Sequence, residues 1–595
     1  MVVEFAQTKA RAFSRAVEEL GVGGALYVSL RYLWRLYKNR VSYPNWIRAN
    51  QLSPEAMTSI QAEIITWESA PTFSVLVPVY NPKPELLRRA IASVQRQLYP
   101  HWQLCLVDDG STAAQVRSVL EEYTDTDARI QVIFLPQNQG ISGASNVGLG
   151  AATGDYIALL DHDDELSPDA LYENAKIIRQ RPDLDILYSD EDKITEAGQR
   201  LDPFFKPQWS PDYFHACMYT CHLGVYRTDL VRQVGGFRAE FDGAQDWDLM
   251  LRLVEHSQRI YHIPKVLYHW RLTAASVTSG AAAKPWAYDA AQRALTAMVQ
   301  RSAYPGHVEA LAEVGFYRVR RDLIEQPLVS LIIPSAGTPM ATGERSYLEN
   351  CLASIRAHST YPNLELVVVD GFDIPDEVLT NIKELDINLV RCDQPFNFSR
   401  RINQGVRHSK GAVLLLLNDD VEVQTPDWIE AMLELAQQTE IGAVGAKLMF
   451  PTGRIQHAGV VVLNGNPGHA FYDEAGWHRG YFCSNLVNRN YLGVTGACLM
   501  VRRVVYDQVG GLDEGLPLNY NDVDFCLKIH QAGYRNVFTP FAQLIHHESA
   551  SRPRGVLPGE LETLRSRWLP YLEAQGGDPY YNPNLCQDNS NFTLG

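Results

Sequence analysis

The sequence has no excess of positive charge. Its 595 residues include 53 Lys and Arg against 69 Asp and Glu, and the formal net charge is −16 at pH 7. Because binding to nucleic-acid phosphates requires a basic surface, this balance argues against a nucleic-acid-binding protein. An anionic substrate would therefore need a bound cation or a local cluster of basic side chains.

Cysteines and long apolar runs are also scarce. The nine cysteines show no framework of spacings, and no secretory signal opens the printed chain, so we expect a cytoplasmic protein. No run of 18 apolar residues predicts a transmembrane helix. The stretch CMYTCH, with Cys217, Cys221 and His222, lacks a second pair of ligands at zinc spacing. We therefore interpret its cysteines as buried structural thiols.

Basic residues are concentrated at the amino terminus. The first 50 residues hold eight Lys and Arg against three Glu, and apolar side chains recur at helical intervals from Leu26 to Tyr37. Such a helix either lies on an anionic membrane surface or packs on the body of the protein with its arginines reaching solvent. The pattern leaves both readings open.

The chain repeats itself after about 256 residues. FSVLVPVYNP at 73–82 is echoed by VSLIIPSAGT at 329–338, and LLDHDDEL at 159–166 by LLNDDVEV at 416–423. The order of features is the same in both halves, which indicates a duplicated domain. In each half, strand-like runs alternate with helical patterns, which predicts an α/β domain with a largely parallel sheet. The predicted parts are a helical amino-terminal segment (1–71), a first domain (72–300), a connector (301–327), a second domain (328–577) and an irregular tail (578–595).

Acidic side chains follow the predicted strands. Ligands of open α/β sheets bind outside the carboxyl ends of the strands. Asp108, Asp109, Asp161 and Asp163 should therefore converge on one crevice. Asp161 and Asp163 can share one Mg²⁺ or Mn²⁺ that bridges a diphosphate, or they can belong to an acid-rich turn. Asp246 opens a predicted helix, where it is either the N-cap or a general base.

An ordered set of motifs resembles a known family. SVLVPVYNP, LVDDGST, NQGISGASNVGL, LLDHDDEL, GGF and QDWDLMLR resemble family 2 glycosyltransferases of the GT-A fold. The second half does so equally, through IIPS, VVVDG, FNFSRRINQGV, LLLLNDDVEV, TGACLMVRR, GGLDE and NDVDFCLKIHQAGY. The resemblance covers about residues 73–275 and 328–550. The pairing of two such domains looks like bacterial enzymes that assemble O-antigen or rhamnose-containing surface polysaccharides.

The resemblance implies two tandem GT-A domains, which are Rossmann-like nucleotide-diphospho-sugar transferases, and a role for each matching residue. In the first domain Pro78, Tyr80 and Asp109 would hold the nucleotide, Asp163 with Asp161 the metal, and Asp246 would be the catalytic base. The matching residues of the second domain are Pro334, Asp370, Asn418, Asp420 and Asp522, and the candidate metal or diphosphate contacts are His269 and His546. The implied cofactor is Mn²⁺ or Mg²⁺, and the implied donor is a UDP-, dTDP- or GDP-sugar.

Two hypotheses of function follow. In the first, both domains are active in a bifunctional inverting enzyme that extends a lipid-linked glycan at the inner face of the cell membrane. In the second, only the first domain is active, and the second is a glycan-binding or scaffolding module. The residues Asp190, Lys206, His457 and His469 either line the acceptor side or are polar loop residues.

Overall fold

A computed structural model describes residues 42–124, 126–273, 285–341, 343–392, 395–548 and 559–595. The basic helix expected between Leu26 and Tyr37 lies outside the described residues. Among the helices that are described, none combines the length and the apolar character needed to cross a membrane.

The structure alternates helices and strands along the chain. The helices are α1 (residues 42–50), α2 (Pro54–Ile65), α3 (Pro84–Gln95), α4 (Ala114–Tyr123), α5 (Gly140–Ala151), α6 (Ala170–Gln180), α7 (Pro211–Phe214), α8 (Thr228–Gln233), α9 (Gln245–His256), α10 (Pro285–Arg301), α11 (Tyr347–His358), α12 (Asp376–Ile382), α13 (Phe398–His408), α14 (Trp428–Ala436), α15 (Arg503–Gln508), α16 (Asn521–Gln531) and α17 (Glu560–Ala574). Short 3₁₀ turns cover Ala239–Phe241 and Tyr481–Cys483.

The strands fall into two long series with a hairpin between them. The first series is β1 (Phe73–Val79), β2 (Trp102–Asp108), β3 (Ile130–Phe134), β4 (Tyr156–Leu159), β5 (Glu165–Leu166), β6 (Ile186–Thr195), β7 (Arg200–Phe204), β8 (Gly224–Arg227) and β9 (Ile260–Leu272). The hairpin is β10 (Gly306–Ala310) and β11 (Tyr317–Arg321). The second series is β12 (Val329–Ser335), β13 (Leu364–Asp370), β14 (Ile387–Arg391), β15 (Val413–Leu417), β16 (Val421–Val423), β17 (Ile441–Met449), β18 (Ile455–His457), β19 (Val460–Leu463), β20 (Asn466–His469), β21 (Arg489–Tyr491), β22 (Cys498–Arg502) and β23 (Arg535–His546).

The two large sheets have the same strand order. The first sheet runs β3-β2-β1-β4-β8-β6-β9-β5 with β7 on β6. The second runs β14-β13-β12-β15-β22-β17-β23-β16 with β18 on β17, and it has one additional strand, β21, on β23. The central strands β1 and β12 each pair in parallel with both neighbours. This strand-for-strand match is what a duplicated domain requires. We call the part built on β1–β9 the first copy and the part built on β12–β23 the second copy.

Helices cover both faces of each sheet. In β1, Val75 and Val77 belong to one apolar core, whereas Leu76 between them belongs to another. Because successive side chains of a strand point to opposite faces, a strand buried on both sides must be apolar throughout. This is why FSVLVPV carries almost no alternation of polar and apolar residues, and why the polar groups gather at the strand ends.

The two copies pack against each other through buried polar contacts. Asn490 Nδ2 donates to Asp212 Oδ2 over 2.7 Å, and the guanidinium of Arg535 lies 3.1 Å from the same oxygen. Beside them the rings of Phe204 and Phe482 stack with their centroids 3.8 Å apart. A buried charge is costly unless it is paired, so Asp212 depends on residues of the second copy.

The tail, residues 578–595, contains no helix or long strand and contacts both copies. Asp578 Oδ2 accepts the backbone N–H of Val462 over 2.8 Å, and Asn582 Nδ2 donates to both oxygens of Asp190 over 2.9 and 3.0 Å. The tail therefore links the second copy to the first.

Candidate active sites

A cavity of about 790 Å³ opens at the carboxyl ends of β1, β2 and β4. Chain segments that are far apart in the sequence contribute to its wall, including the first turn of α9 and the start of α5. Apart from His269, every residue predicted to hold the nucleotide or the metal or to act as the base in the first domain lines this cavity. These residues are Pro78, Tyr80, Asp109, Asp161, Asp163 and Asp246. The structure therefore brings together what the sequence placed at separate strand and helix ends.

One end of this cavity combines an exposed ring with a buried carboxylate. Tyr80 is 46% exposed, which leaves its ring free to stack on a planar base. Asp109 is buried and its Oδ1 accepts the backbone N–H of Gln139 over 2.7 Å. Burial raises the pKa of Asp109, although this hydrogen bond opposes the rise. An aromatic face beside a fixed hydrogen-bond acceptor suits a nucleoside.

Two carboxylates, Asp161 and Asp163, form the acidic end of the cavity. Asp161 and Asp163 are half-buried, and burial raises the pKa of Asp163; Asp161 adds to the rise while His162 opposes it. Within the described residues, no group of three or more His, Cys, Asp and Glu side chains is arranged to hold a metal ion. Mg²⁺ and Mn²⁺ often take only one or two carboxylates and complete their shell with phosphate oxygens, so this pair fits such a cation.

The neighbouring Asp164 has a different environment. It is buried, its Oδ2 accepts the hydroxyl of Tyr268 over 2.6 Å, and its Oδ1 accepts the backbone N–H of Arg271 over 2.6 Å. Both oxygens thus hold the strand β9 against the acidic turn. Asp164 organises the site without facing the cavity.

Asp246 is the second residue of α9 and faces the cavity. Its Oδ1 accepts the backbone N–H of Trp247 over 2.8 Å, which fixes the carboxylate at the helix start. Burial raises the pKa of Asp246, and the nearby positive charge of His222 opposes that rise. A carboxylate whose pKa is raised is a stronger base than an ordinary one and is suited to accept a proton from a hydroxyl.

His222 lines the same cavity and was not among the predicted site residues. Its Nδ1 lies 3.3 Å from Glu191 Oε2, and its ring stacks on Tyr268 at 4.6 Å. Although burial opposes the charge, Glu191 raises the pKa of His222 to about 9, so the imidazole is cationic at neutral pH. The stretch CMYTCH contains this histidine, but its spacing indicates only a comparison with zinc ligands and does not indicate a place in the cavity wall.

His269 does not line the first cavity, in contrast to its expected metal contact. It is buried, and its Nδ1 lies 2.6 Å from Asp192 Oδ1. His269 and His546, the two candidate metal or diphosphate contacts, do not occupy equivalent positions in the two sheets. Glu165 pairs with His269 and the corresponding Glu422 pairs with Ile545, so His546 occupies the position of Trp270. A shift of one residue along a strand reverses the face on which a side chain lies.

The second copy has a smaller cavity, of about 260 Å³, lined by Asn418, His469, Asp522 and His546 among others. Asp522 is the second residue of α16, as Asp246 is of α9, and its Oδ2 accepts the backbone N–H of Gly496 over 2.9 Å. His546 Nε2 lies 3.1 Å from Asp420 Oδ1 and 3.2 Å from Asn418 Nδ2. The remaining residues predicted for the second copy (Pro334, Asp370, Asp420 and His457) are not part of this wall.

Asp370, expected to hold the nucleotide in the second copy as Asp109 does in the first, corresponds instead to Asp108, which does not line the first cavity. Val79 pairs with Asp108 in the first sheet, and Ser335 pairs with Asp370 in the second. Asp370 is buried, forms an ion pair with Arg391 and accepts the backbone N–H of Asp373 over 3.1 Å. The position of Asp109 is held by Gly371, so the second copy has no carboxylate at that place.

Asp190 and Lys206 are completely buried, which corrects the expectation that they line an acceptor groove. Asp190 accepts hydrogen bonds from Asn582 of the tail and lies 2.8 Å from His262 Nε2. Lys206 Nζ lies 3.0 Å from Glu191 Oε2 and donates to the carbonyl oxygen of Thr220 over 2.7 Å. Both residues support the wall of the first cavity from behind, through Glu191 and the segment that ends at His222.

Comparison with known proteins gives consistent results for both copies. The chain is 43% identical over 544 residues to an uncharacterized protein, y4gI, of Sinorhizobium fredii, covering 89% of this chain and 59% of that protein. It is 37% identical over 549 residues to the O-antigen biosynthesis protein RfbC of Myxococcus xanthus, covering 91% of this chain and 42% of that protein. The chain thus spans only about three fifths and two fifths of these two relatives.

Among solved structures, the S. aureus protein TarS in complex with UDP-GlcNAc matches 39% of this chain and 67% of its own, at 22% identity and a TM-score of 0.33. The family model described as glycosyl transferase family 2 matches residues 74–235 and 331–510, which together exceed half of the chain. Each match falls on one copy and includes its acidic strand end. The chain, an α/β protein with two GT-A domains, therefore belongs to glycosyl transferase family 2.

Proposed function

We propose that both copies are active and that each transfers a sugar from a nucleotide-diphosphate donor to a hydroxyl of a growing surface glycan. The observation that carries this proposal is the recurrence of one arrangement: Asp246 and Asp522 are each the second residue of an equivalent helix and each line a cavity. The O-antigen name of the M. xanthus relative supports a surface polysaccharide, of the O-antigen or rhamnose-containing kind, as the product.

The proposed reaction is a single displacement. The acceptor hydroxyl gives its proton to Asp246 while its oxygen forms a bond to the anomeric carbon of the donor sugar. The bond from that carbon to the diphosphate breaks on the opposite face, and its electrons leave with the nucleoside diphosphate. One base acting from one side of the sugar is sufficient for this step, and the configuration at the anomeric carbon is inverted.

A divalent cation, Mn²⁺ or Mg²⁺, would neutralise the charge that develops on the departing diphosphate. Asp161 and Asp163 would hold it in the first copy, and Asn418 and Asp420 in the second. The burial and mutual repulsion that raise the pKa of Asp163 support this assignment. His222, as a cation in the wall of the first cavity, would bind a phosphate oxygen from the other side.

A second candidate function is that the second copy binds glycan without catalysis. Three differences favour it: the second cavity is about 260 Å³ against about 790 Å³, Asn418 replaces Asp161, and Ala497 stands at the strand position of His222. The smaller cavity leaves less space for a nucleotide diphosphate. The other two changes remove a carboxylate that would help to hold the metal and an imidazole that would bind a phosphate oxygen. The two candidates differ in their outcome for Asp522→Asn, which abolishes a linkage only if the second copy is catalytic.

The proposed acceptor is a lipid-linked glycan at the cytoplasmic face of the cell membrane. This placement rests on the basic amino-terminal segment and on the polysaccharide relatives. A chain with a net charge of −16 would need such a local basic segment to approach an anionic membrane surface.

The transferase activity is tested with the purified chain and a panel of UDP-, dTDP- and GDP-sugars, with Mn²⁺ or Mg²⁺ and with EDTA. We expect release of nucleoside diphosphate from at least one donor, at least tenfold faster with the metal. Asp246→Asn should lower the release in the first site by roughly 10²- to 10⁴-fold, the usual contribution of a general base. Asp229→Asn, at a carboxylate whose side chain is 91% exposed, is the matched control. Release from no donor, or equal rates for the two variants, would refute the proposal.

A further inference from the structure

A pair of histidines forms part of the wall of the second cavity. His457 ends β18 and His469 ends β20, and their Nδ1 atoms are 2.9 Å apart. His457 is completely buried, whereas His469 is half-buried and lines the cavity together with Asp522. Nothing in the proposed displacement step uses either ring.

The hydrogen bonds around the pair determine where its protons are. The backbone N–H groups of Gly459 and Thr495 both point at His457 Nε2, over 3.3 and 3.4 Å. Since a backbone N–H can only donate, His457 Nε2 is an unprotonated acceptor and its proton is on Nδ1. That proton is donated to His469 Nδ1, so the proton of His469 must be on Nε2.

The environment keeps both rings neutral. Burial lowers the pKa of His457 well below its ordinary value and also lowers the pKa of His469, although Asp522 and Glu548 oppose the shift at His469. If His469 were protonated on both nitrogens, its Nδ1–H would face the Nδ1–H of His457, and the two donors would repel each other. The pair therefore offers one fixed donor, the Nε2–H of His469, which has no hydrogen-bond partner among the described residues.

The element that carries His469 belongs to the second copy alone. His457 pairs with Leu448 at the strand position where Phe204 pairs with Glu191 in the first copy. After that position the second copy forms the hairpin of β19 and β20. The first copy, whose residues 205–223 are all described, has instead an irregular segment with the short helix α7. The second site thus contains a polar group that the first site lacks.

We propose that His469 donates its Nε2–H to a second oxygen of the same acceptor sugar whose hydroxyl Asp522 deprotonates. In this assignment His469 is a specificity-determining residue and His457 is the positioning residue that fixes its tautomer. A carboxylate and an N–H on one wall of a cavity of about 260 Å³ match the hydroxyl groups of a single sugar ring. The proposal rests on the proposed function of the second copy, and it names the acceptor as a sugar that presents two hydroxyls to this wall.

The test uses the full chain and simple methyl glycosides, with their monodeoxy analogues, as acceptors for the linkage that Asp522→Asn abolishes. For His469→Ala we expect a fall of at least tenfold in kcat/KM for the acceptor, because a site built to bind a hydroxyl discriminates strongly when one partner is missing. The donor KM should not change. His469→Gln, whose amide can donate to the same oxygen, should recover part of the loss, and His358→Ala, at an exposed histidine, is the control.

The deoxy analogues decide whether the contact is direct. With the wild-type chain, one monodeoxy acceptor should show the same fall in kcat/KM that His469→Ala shows with the full acceptor. When His469→Ala is assayed with that monodeoxy acceptor, the two falls should not multiply. An unchanged kcat/KM in His469→Ala, or losses that multiply for every analogue, would overturn the proposal. His457→Phe, which introduces the residue of the first copy, should give a smaller loss in the same direction.

Failure of the proposed function is recognised separately. If Asp522→Asn leaves every linkage intact, the second copy is not catalytic, and binding of the same glycosides to the full chain is measured by calorimetry. At least tenfold weaker binding by His469→Ala then supports the hydrogen bond to the sugar, and equal affinity refutes it.

Discussion

At the scale of single residues, the first site is organised by the balance between three carboxylates and one imidazolium. Asp161, Asp163 and Asp246 share a cavity with His222, and Glu191 behind that wall keeps the imidazole charged. The positive charge of His222 lowers the pKa of Asp246, and a proposed base must be ionised before it can accept a proton. The half-buried His222 would therefore be the local basic group that the proposed anionic donor needs in an acidic chain.

Replacing His222 should affect both binding and the pH dependence of the first site. Without the imidazolium, burial and the negative charge of Asp161 are opposed only by backbone hydrogen bonds. The pKa of Asp246 then rises further, so the acid limb of kcat/KM should move to higher pH. Loss of a charged hydrogen bond to the diphosphate should also lower kcat/KM for the donor by roughly 10- to 100-fold. The pH profile of nucleotide release by His222→Ala checks this, with His358→Ala as the control. An acid limb that stays in place would show that His222 does not act on Asp246.

At the scale of the elements, the residues that could be predicted are those at the ends of regular strands. Asp109, Asp161 and Asp163 line one cavity, as expected, because an apolar run defines its strand and the carboxyl ends of parallel strands share an edge. Asp108, expected with them, does not line the cavity, and its Oδ1 accepts the backbone N–H of Ser111 over 3.2 Å. His222 follows an irregular segment, so no period in the sequence indicated its direction. His546 lies one residue further along β23 than the position that corresponds to His269 on β9, so the two side chains are on opposite faces of equivalent strands. A comparison of motifs cannot detect a shift of one residue.

The start of α5 should be sensitive to a single methyl group. Gly140 has a φ of +81°, and a Cβ there would collide with the carboxylate of Asp242, which accepts the backbone N–H of Ser142 over 3.2 Å. We expect Gly140→Ala to destabilise the protein by about 1 to 2 kcal/mol, the cost of a left-handed conformation. It should also weaken donor binding, because Gly140 lines the first cavity.

Gly150 in the same helix is the matched control. A Cβ there meets no atom within 4 Å, so Gly150→Ala should stabilise the helix by about 0.5 to 1 kcal/mol. Urea unfolding of both variants measures the two effects. Equal changes in the free energy of unfolding for Gly140→Ala and Gly150→Ala would contradict the expectation that a side chain at Gly140 strains the start of α5.

At the scale of the whole molecule, the tail connects the two copies: Asn582 bonds Asp190 of the first copy, and the carboxyl group of Asp578 bonds Val462 of the second. Burial raises the pKa of Asp578 to about 7, against the effect of its hydrogen bonds from Val462 and Tyr580. A carboxyl group whose pKa is raised on folding contributes stability that is complete below its unfolded pKa of about 3.9 and is lost as the pH rises through about 7. The tail should therefore be held less firmly at pH 8 than at pH 5.

Hydrogen exchange of residues 578–595 at these two pH values, corrected for intrinsic rates, measures this difference. Exchange should be faster at pH 8 in the wild-type chain, and Asp578→Asn should remove most of the difference because it cannot ionise. Retention of the full difference in that variant would assign the effect to another group.

The central claim is that one molecule contains two working transferase sites. The most direct measurement compares Asp246→Asn and Asp522→Asn, each in the full chain, for the nucleotide sugars they consume and the linkages in their products. The proposal predicts that each variant loses one linkage and keeps the other, so that the two losses are complementary. If Asp522→Asn forms every linkage that the wild-type chain forms, the second copy is not catalytic and the two-site account is wrong.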